Sequence, residues 1–192
     1  MLTGIDVSFD VRRDTPPGRD PDTFSPTLGR YHELLWSKPL PSGERFDLTA
    51  STPPVYLHHR SAVGEFWLSS DSVIHTYTTW RSMRPIIDRL PEAENESFRT
   101  IASTIGAMMV WPANRVDRKR TINGARGCIR AIDDRFDLTL ECVRRYYLGL
   151  SSPLEDTFAR YRDFFALFVD FRGFIDFFLL QDIVTEDCSS VT

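Results

Sequence analysis

The basic residues between positions 114 and 126 are the side chains in this sequence that are best suited to bind an anion. They are Arg115, Arg118, Lys119, Arg120 and Arg126. Guanidinium groups bind phosphate oxygens through paired hydrogen bonds, and a helix that begins near Thr121 would add free backbone N–H groups. We therefore predict a phosphate-bearing ligand, either a nucleotide or a nucleic acid. The predicted ligand-binding residues are Arg115, Arg118, Lys119, Asn123 and Arg126.

The same segment has a simpler interpretation as a charged turn in water. In that interpretation Asp117, Asp133 and Asp134 balance the basic residues. The spacing of Gly124 and Gly127 does not match the phosphate-binding P-loop, so that motif is not predicted. The sequence leaves the anion site and the solvated turn open.

Acidic residues in the N-terminal part of the chain form a second set of candidates. Asp20 and Asp22 lie in a loop rich in proline and glycine, His32 lies on the helix after it, and Asp71 follows a predicted strand. Carboxylates suit Mg²⁺, and a carboxylate beside a histidine can orient the ring for proton transfer. These four are candidate catalytic residues of a metal-assisted phosphoryl-transfer enzyme or hydrolase. The alternative is that the aspartates cap local turns.

No catalytic motif accompanies these residues, so the sequence leaves open whether the protein is an enzyme and which cofactor it would use. His58 and His59 are adjacent and would face opposite sides of a strand, so they cannot share a metal ion, and no metal site is predicted. A stacking platform for a base could be formed by Trp36 together with Lys38, Pro39, Pro41 and Gly43. An aromatic residue beside prolines more often closes the edge of a core.

The composition is that of one globular domain. The chain has 192 residues, of which 42% are hydrophobic and 26% are charged, and its formal net charge is −4. This length is enough to bury a core, so we predict that residues 1–192 form a single domain. The small net charge provides no long-range attraction for nucleic acid or an anionic membrane, so any anion site must be local.

The predicted location is the cytoplasm. The N-terminus, MLTGIDVSFDVRRD, has acidic residues where an export signal would be basic and then apolar. The three cysteines have no paired spacing, which favours free thiols over disulfides. The most apolar stretch, residues 161–184, carries charged residues such as Arg162, Asp170 and Asp182, so no membrane partner is predicted.

The hydrophobic patterns predict strands mainly in the N-terminal half. Residues 5–11 alternate as in a half-buried strand, and residues 38–69 contain short β-prone runs between turn signals. Ser25 followed by Pro26 predicts a helix that runs to about Ser37. Residues 79–90 are predicted to be helical with an interruption at Pro85, residues 91–97 to be a polar loop, and residues 98–112 to be a buried strand.

The C-terminal half is predicted to be helical and aromatic. Helices are expected over residues 121–132, from Asp134 to Tyr147, from Ser152 onward, and from about Asp170 or Gly173 to Val184. The apolar residues predicted to be buried here are Phe165, Leu167, Phe168, Phe171, Phe174 and Phe178. The predicted fold is α+β, in which N-terminal strands and a short helix form a small sheet that packs on a C-terminal aromatic-rich helical bundle.

Several long motifs follow one another along most of the chain. They are FDVRRDTPPGRDPDTFSPTLGRYHELLWSKPLPSG, LSSDS, STIGAMMVWP, TINGARG, DRFDLTLECVRRYY and SPLEDTFARYRDFFALFVDF. Together they resemble a family of uncharacterised bacterial proteins with a domain of unknown function. The resemblance implies no activity, substrate or catalytic residue. It implies that other members continue beyond the position of Val184, so we expect this chain to be truncated at its C-terminus.

A truncated chain would leave a strand edge or an apolar face exposed, which favours self-association. A protein-interaction or regulatory subunit, which would include a homo-oligomer, is therefore a third interpretation of the sequence.

Overall fold

The structure is a computed structural model that describes residues 4–46, 48–49, 57–61, 64–74 and 83–192. Within these residues, a small antiparallel sheet is accompanied by short helices, which confirms the predicted α+β class. The strands are β1 (Leu48–Thr49), β2 (Leu57–Ser61), β3 (Gly64–Ser72) and β4 (Met108–Pro112). The helices are α1 (Pro21–Phe24), α2 (Pro26–Trp36), α3 (Arg84–Ile87), α4 (Glu92–Ala102), α5 (Ile122–Arg126), α6 (Phe136–Tyr147), α7 (Glu155–Ala159), α8 (Arg162–Ala166) and α9 (Phe171–Phe178).

The sheet has the strand order β1-β2-β3-β4, and neighbouring strands are antiparallel. Its first three strands lie within or next to the region predicted to form a meander. Phe66 and Leu68 on β3 are buried, and a register shift of one residue would expose both of them. The end of β3 pairs with β4, with Ser70 opposite Val110. This pairing holds the polar end of β3 in place for the site described below.

The segment at residues 5–11 forms turns and a single antiparallel bridge, between Asp10 and Thr104, so the strand predicted there is reduced to that bridge. The Asp6 carboxylate accepts hydrogen bonds from the backbone N–H of Ser8 at 2.9 Å and from the Ser8 hydroxyl at 2.6 Å. Asp10 accepts a hydrogen bond from the backbone N–H of Arg12 and caps a 3₁₀ turn that begins at Val11. Aspartate side chains that bond nearby N–H groups compete with a strand ladder, and here they prevail over the alternating pattern.

Helix α2 begins and ends where the sequence predicts. The Ser25 hydroxyl accepts a hydrogen bond from the backbone N–H of Leu28 at 3.1 Å, and Pro26 occupies the first turn. Asp14 strengthens this start by accepting hydrogen bonds from the Ser25 hydroxyl at 2.6 Å and from the Thr27 N–H at 3.0 Å. The buried residues of α2 are Leu28, Tyr31, His32, Leu35 and Trp36.

Residues 91–97 begin helix α4, so the predicted polar loop is wrong. Glu92 lies in the first turn, where the helix dipole favours negative charge, and its ion pair with Arg99 at 2.5 Å spans two turns. Because α4 continues to Ala102, the strand predicted for residues 98–112 is confirmed only as β4. The predicted helix at residues 79–90 is confirmed for α3, whereas residues 79–82 lie outside the described part of the chain.

The C-terminal helices are present but shorter than predicted, with the exception of α6. Helix α5 ends at Arg126, well before residue 132, and the helix expected from Ser152 divides into α7 and α8. Helix α9 ends at Phe178 because Leu179 adopts a left-handed φ of 59°. Helix α6 begins after Arg135, so Asp134 is not its N-cap.

The aromatic core is confirmed by burial. The exposed fraction is at most 7% for Phe165, Leu167, Phe168, Phe171, Phe174 and Phe178. The Phe168 ring lies 5.3 Å from those of Phe164 and Phe174 in edge-to-face contacts, the geometry that aromatic quadrupoles favour. These rings therefore do not form the exposed apolar surface on which an interaction role would depend.

Trp36 joins the N-terminal part of the chain to this core. Its ring stacks on Phe46 at 4.1 Å and lies 5.0 Å from Phe177, and its side chain is 1% exposed. The Lys38 ammonium group donates a hydrogen bond to the carbonyl oxygen of Phe177. Both side chains are engaged in packing, so Trp36 does not offer a face to a nucleotide base.

The three cysteines are free thiols: Cys128 is exposed, Cys188 is partly buried and Cys142 is buried. In the described parts of the chain, the structure has no helix that combines the length and the apolarity needed to cross a membrane.

Candidate functional site

The basic loop between β4 and α5 lines an open pocket of 620 Å³, which we call the cationic pocket. The loop contributes Arg115, Arg118, Lys119 and Arg120 to the lining. A turn orients them, closed by a hydrogen bond of 3.0 Å from the Lys119 N–H to the carbonyl oxygen of Val116. Asp117 and Arg118 both have positive φ, at 54° and 58°, as a type I′ turn requires. The predicted basic residues of this loop thus reach a common surface.

Arg160, which follows α7, brings a further positive charge to the cationic pocket. Its guanidinium group donates hydrogen bonds to the carbonyl oxygens of Arg120 at 3.0 Å and Asp156 at 2.7 Å. These bonds connect α7 to the basic loop. The Nε atom of Arg160 is buried and makes no hydrogen bond within the described structure. Sequence reasoning missed this residue because it lies 40 positions after Arg120 and belongs to another helix.

The rest of the lining of the cationic pocket is formed by uncharged, largely apolar side chains. It consists of Ala125, Cys128, Ile129 and Thr157, and no carboxylate of the described part of the chain lines the pocket. Within the described residues, none of the five basic side chains of the pocket takes part in an ion pair. The pocket therefore presents many hydrogen-bond donors and a concentrated positive charge to solvent.

Two of the predicted ligand-binding residues do not line the cationic pocket. The Asn123 amide donates a hydrogen bond of 2.5 Å to Asp71 Oδ2, and the Arg126 guanidinium contacts Asp134. The predicted cradle of free helix N–H groups is also reduced, because Thr121 caps the five-residue α5 and accepts a hydrogen bond from the Gly124 N–H at 3.2 Å. The sequence-predicted ligand site is thus divided between two surfaces.

The second surface is a cavity of 430 Å³, which we call the carboxylate cavity. Three of the predicted acidic residues, Asp20, Asp22 and Asp71, line it together. Asp134, Ser70 and Ser72 complete its polar lining. Helix α1 carries Asp22 to the end of β3, where the sheet places Ser70 and Asp71. The structure therefore brings together acidic residues that are about fifty positions apart in the sequence.

Asp22 is the most deeply buried carboxylate of the carboxylate cavity, with 8% of its surface exposed. Its two oxygens accept hydrogen bonds from Ser70, one from the backbone N–H at 2.7 Å and one from the hydroxyl. Burial raises the pKa of Asp22 to about 6, and the nearby charges of Asp20 and Asp71 act in the same direction. This pKa is closer to neutral pH than that of an ordinary aspartate, and a general acid or base needs a pKa near the operating pH.

Asp71 and Asp134 lie on either side of the buried Arg126 side chain. Arg126 Nε is 3.3 Å from Asp134 Oδ1, and its Nη2 donates a hydrogen bond of 3.0 Å to the Asp134 carbonyl oxygen. Its Nη1 donates to Asn123 Oδ1 at 3.3 Å, and Asn123 in turn contacts Asp71. Burial raises the pKa of Asp71, although Asn123 and Arg126 oppose that shift. Arg126 is thus a fixed counter-charge beneath the carboxylate cavity.

His32, the fourth predicted catalytic residue, does not line the carboxylate cavity. It is fully buried on α2, and burial lowers its pKa to about 3, so the ring is neutral at physiological pH. Within the described residues, no group of three or more histidine, cysteine, aspartate or glutamate side chains is arranged to hold a metal ion. Asp20 also has a local role, because it caps α1 by accepting a hydrogen bond from the Asp22 N–H.

Comparison with known proteins places the chain in a family. Residues 5–192 match the model of a family of unknown function, DUF6994, and the chain belongs to that family. This confirms the resemblance seen in the sequence motifs, and the family has no known activity to transfer. No curated protein and no solved structure matches the chain.

Proposed function

We propose that this member of a family without known activity binds a phosphate-bearing ligand in the cationic pocket. The observation that carries the proposal is the convergence of five basic side chains from two separate segments on one concave surface, which no carboxylate of the described residues lines. Phosphate oxygens accept hydrogen bonds from guanidinium and ammonium groups, and several such contacts act together. A surface turn without function would more commonly pair its charges with neighbouring acids.

The proposed site keeps three of the five predicted ligand-binding residues, leaves out the other two and includes two further residues. Arg115, Arg118 and Lys119 are retained, and Arg120 and Arg160 are added. Asn123 and Arg126 are left out, because their side chains contact the acidic residues of the carboxylate cavity. The helix start at Thr121 contributes little, because Thr121 itself occupies one of the N–H groups.

The alternative of a metal-assisted enzyme receives less support from the geometry. Asp20, Asp22 and Asp71 share the carboxylate cavity, as that alternative requires, but the described residues offer no three-ligand arrangement for a metal ion. We therefore place the proposed function in the cationic pocket.

A titration tests the proposal. Pyrophosphate is titrated into the wild-type protein by calorimetry at several salt concentrations, and binding should weaken as salt increases. The Arg118→Gln/Lys119→Gln double variant should bind at least about tenfold more weakly, because each lost charged hydrogen bond is worth ~1.5 kcal/mol or more. The matched control is Arg30→Gln/Arg89→Gln, which removes the same charge from exposed residues outside the pocket. Equal binding by the two double variants would refute the proposed site.

Cys128 provides an independent test of where the ligand binds. It lies in the lining of the cationic pocket, whereas Cys188 lies outside that lining and Cys142 is buried. Pyrophosphate should slow the alkylation of Cys128 by iodoacetamide and leave the rate at Cys188 unchanged, with both rates measured by mass spectrometry. Binding that slows neither thiol would place the ligand elsewhere on the protein.

A further inference from the structure

The chemistry of the cationic pocket narrows the kind of ligand that fits it. Apart from Thr157, the polar side chains of its lining are arginine or lysine, which donate hydrogen bonds and accept none. The Thr157 hydroxyl faces Arg160 Nη2 at 3.4 Å. A sugar or a nucleobase presents both donors and acceptors, so its donors would lack acceptors among the arginine and lysine side chains of the lining. A fully ionised phosphate group presents acceptors only, which are complementary to these donors.

The lining also lacks the groups that recognise a base by stacking. Among the described residues, its uncharged members are Ala125, Cys128, Ile129 and Thr157, and none of these carries an aromatic ring. Proteins that bind single-stranded nucleic acid commonly combine a basic groove with aromatic side chains on which successive bases stack. The cationic pocket has the charge of such a site and lacks its stacking surface.

The distribution of charge argues for a small ligand. Five basic side chains are confined to one pocket of 620 Å³, and the protein as a whole has a net charge of −4. A nucleic acid carries a phosphate at roughly every 3.4 Å of each strand, so its further phosphates would extend over a surface with no net attraction for them. A compact polyanion can place all its charge inside the pocket.

Arg160 favours a ligand with more than one phosphate. Its guanidinium group is held by the carbonyl oxygens of Arg120 and Asp156, so its position beside Arg120 of the basic loop is fixed before any ligand binds. An anion that contacts both Arg160 and the side chains of the basic loop would reach positive charges from two segments of the chain, which a chain of linked phosphates can do.

From these observations we infer that the cationic pocket binds a compact polyphosphate, either inorganic or the phosphate chain of a small molecule, and recognises it by its phosphates and not by a base. This inference rests on the proposed function. It assigns Arg160 as the residue that discriminates between one phosphate and several.

The test compares ligands that differ in one feature at a time. Orthophosphate, pyrophosphate, tripolyphosphate, ATP, GTP and a short oligonucleotide with several phosphates are titrated into the wild-type protein at one salt concentration. Affinity should increase by about tenfold or more from orthophosphate to tripolyphosphate, as further charged hydrogen bonds form. ATP and GTP should bind within about threefold of each other and of tripolyphosphate, since a base that makes no specific contact changes the affinity little.

The results of these titrations distinguish the polyphosphate inference from the proposed function on which it rests. A preference of about tenfold or more for one nucleoside triphosphate over tripolyphosphate, or stronger binding of the oligonucleotide, would overturn the polyphosphate inference and leave phosphate binding intact. The absence of binding by every phosphate compound would overturn the proposed function as well. Protection of Cys128 from iodoacetamide by tripolyphosphate confirms that the measured binding occurs in this pocket.

Two variants test the assignment of Arg160. Arg160→Lys keeps the charge and loses the fixed guanidinium fork, so it should reduce the preference for tripolyphosphate over orthophosphate by about fivefold or more. Arg118→Gln, on the exposed loop, should weaken both ligands by a similar factor. If Arg160→Lys weakens both ligands equally, Arg160 does not discriminate between them. A thermal unfolding curve for each variant confirms that the fold is retained.

Discussion

Substitution of Asp22 by asparagine should change how the stability of the protein depends on pH. The Asp22 carboxyl has a pKa of about 6 in the folded protein and an ordinary value of 3.8 in the unfolded chain. Between these two pH values the unfolded chain releases its proton first, so the free energy of unfolding falls as the pH rises. The difference corresponds to ~3 kcal/mol at about 1.4 kcal/mol for each tenfold change in proton affinity. The asparagine side chain of the variant does not ionise, so the variant should not show this loss.

The measurement is urea unfolding of the wild type and Asp22→Asn at a series of pH values from about 3.5 to about 7.5. The free energy of unfolding of the variant minus that of the wild type should increase by ~3 kcal/mol across this range. Asparagine cannot replace one of the hydrogen bonds with Ser70, and this lowers the free energy of unfolding of the variant by the same amount at every pH. The quantity to compare is therefore the change of the difference with pH, from which that constant cost cancels. A difference that stays constant with pH would refute the account of Asp22 as a carboxylate whose pKa is raised by burial.

Asp14 provides a control with the opposite sign. Hydrogen bonds from Ser25 and Thr27 lower the pKa of Asp14 despite its partial burial. Its ionisation therefore stabilises the fold above the unfolded-state pKa, and this stabilisation is lost as the pH falls. For Asp14→Asn, the free energy of unfolding of the variant minus that of the wild type should decrease as the pH rises. The same trend in both variants would indicate a general effect of charge and not the two local environments.

Three further predictions concern stability, each measured by urea unfolding. Phe168→Ala should lower the free energy of unfolding by about 3–5 kcal/mol, because the ring is fully buried among other phenylalanines, and an unchanged midpoint would remove it from the core. Arg126→Met should cost ~3 kcal/mol, because it removes a buried positive charge that faces Asp71 and Asp134, and a stabilised variant would contradict that role. Val169→Asn should stabilise the protein by ~1 kcal/mol, because Val169 is exposed and has a left-handed φ of 69° that asparagine tolerates better. Leu150→Asn is the control, since Leu150 is exposed but is not among the residues with positive φ.

Much of the fold could be predicted from local chemistry. The start of α2 was predictable because Ser25, Pro26 and the apolar spacing after them all indicate the same element. The turn at residues 5–11 was not, because an alternating pattern is equally compatible with aspartates that bond their own neighbours. Helix α4 was missed because its polar first turn has the composition of a loop, and its ion pairs with Arg99 appear only when the helix forms.

The residue types of the candidate site could be predicted from the sequence, but the position of each residue in the fold could not. The sequence indicated a basic loop and a set of aspartates, and the structure brings each set to a concave surface. In the structure, Asn123 and Arg126 belong with the aspartates and not with the basic loop, because α5 directs these side chains toward Asp71 and Asp134. Arg160 had no signal in the sequence, since its neighbours there are the residues of an ordinary amphipathic helix.

The sequence by itself determined the α+β class, the aromatic C-terminal core and the presence of a concentrated basic loop, because these depend on composition and on interactions within a few residues. Only the tertiary structure decided that Asp22 lies beside Asp71 and that Arg160 faces Arg120, because contacts across 40 or more residues depend on how whole elements pack. Burial is also a property of that packing, and it is the largest cause of the lowered pKa of His32 and of the raised pKa of Asp22.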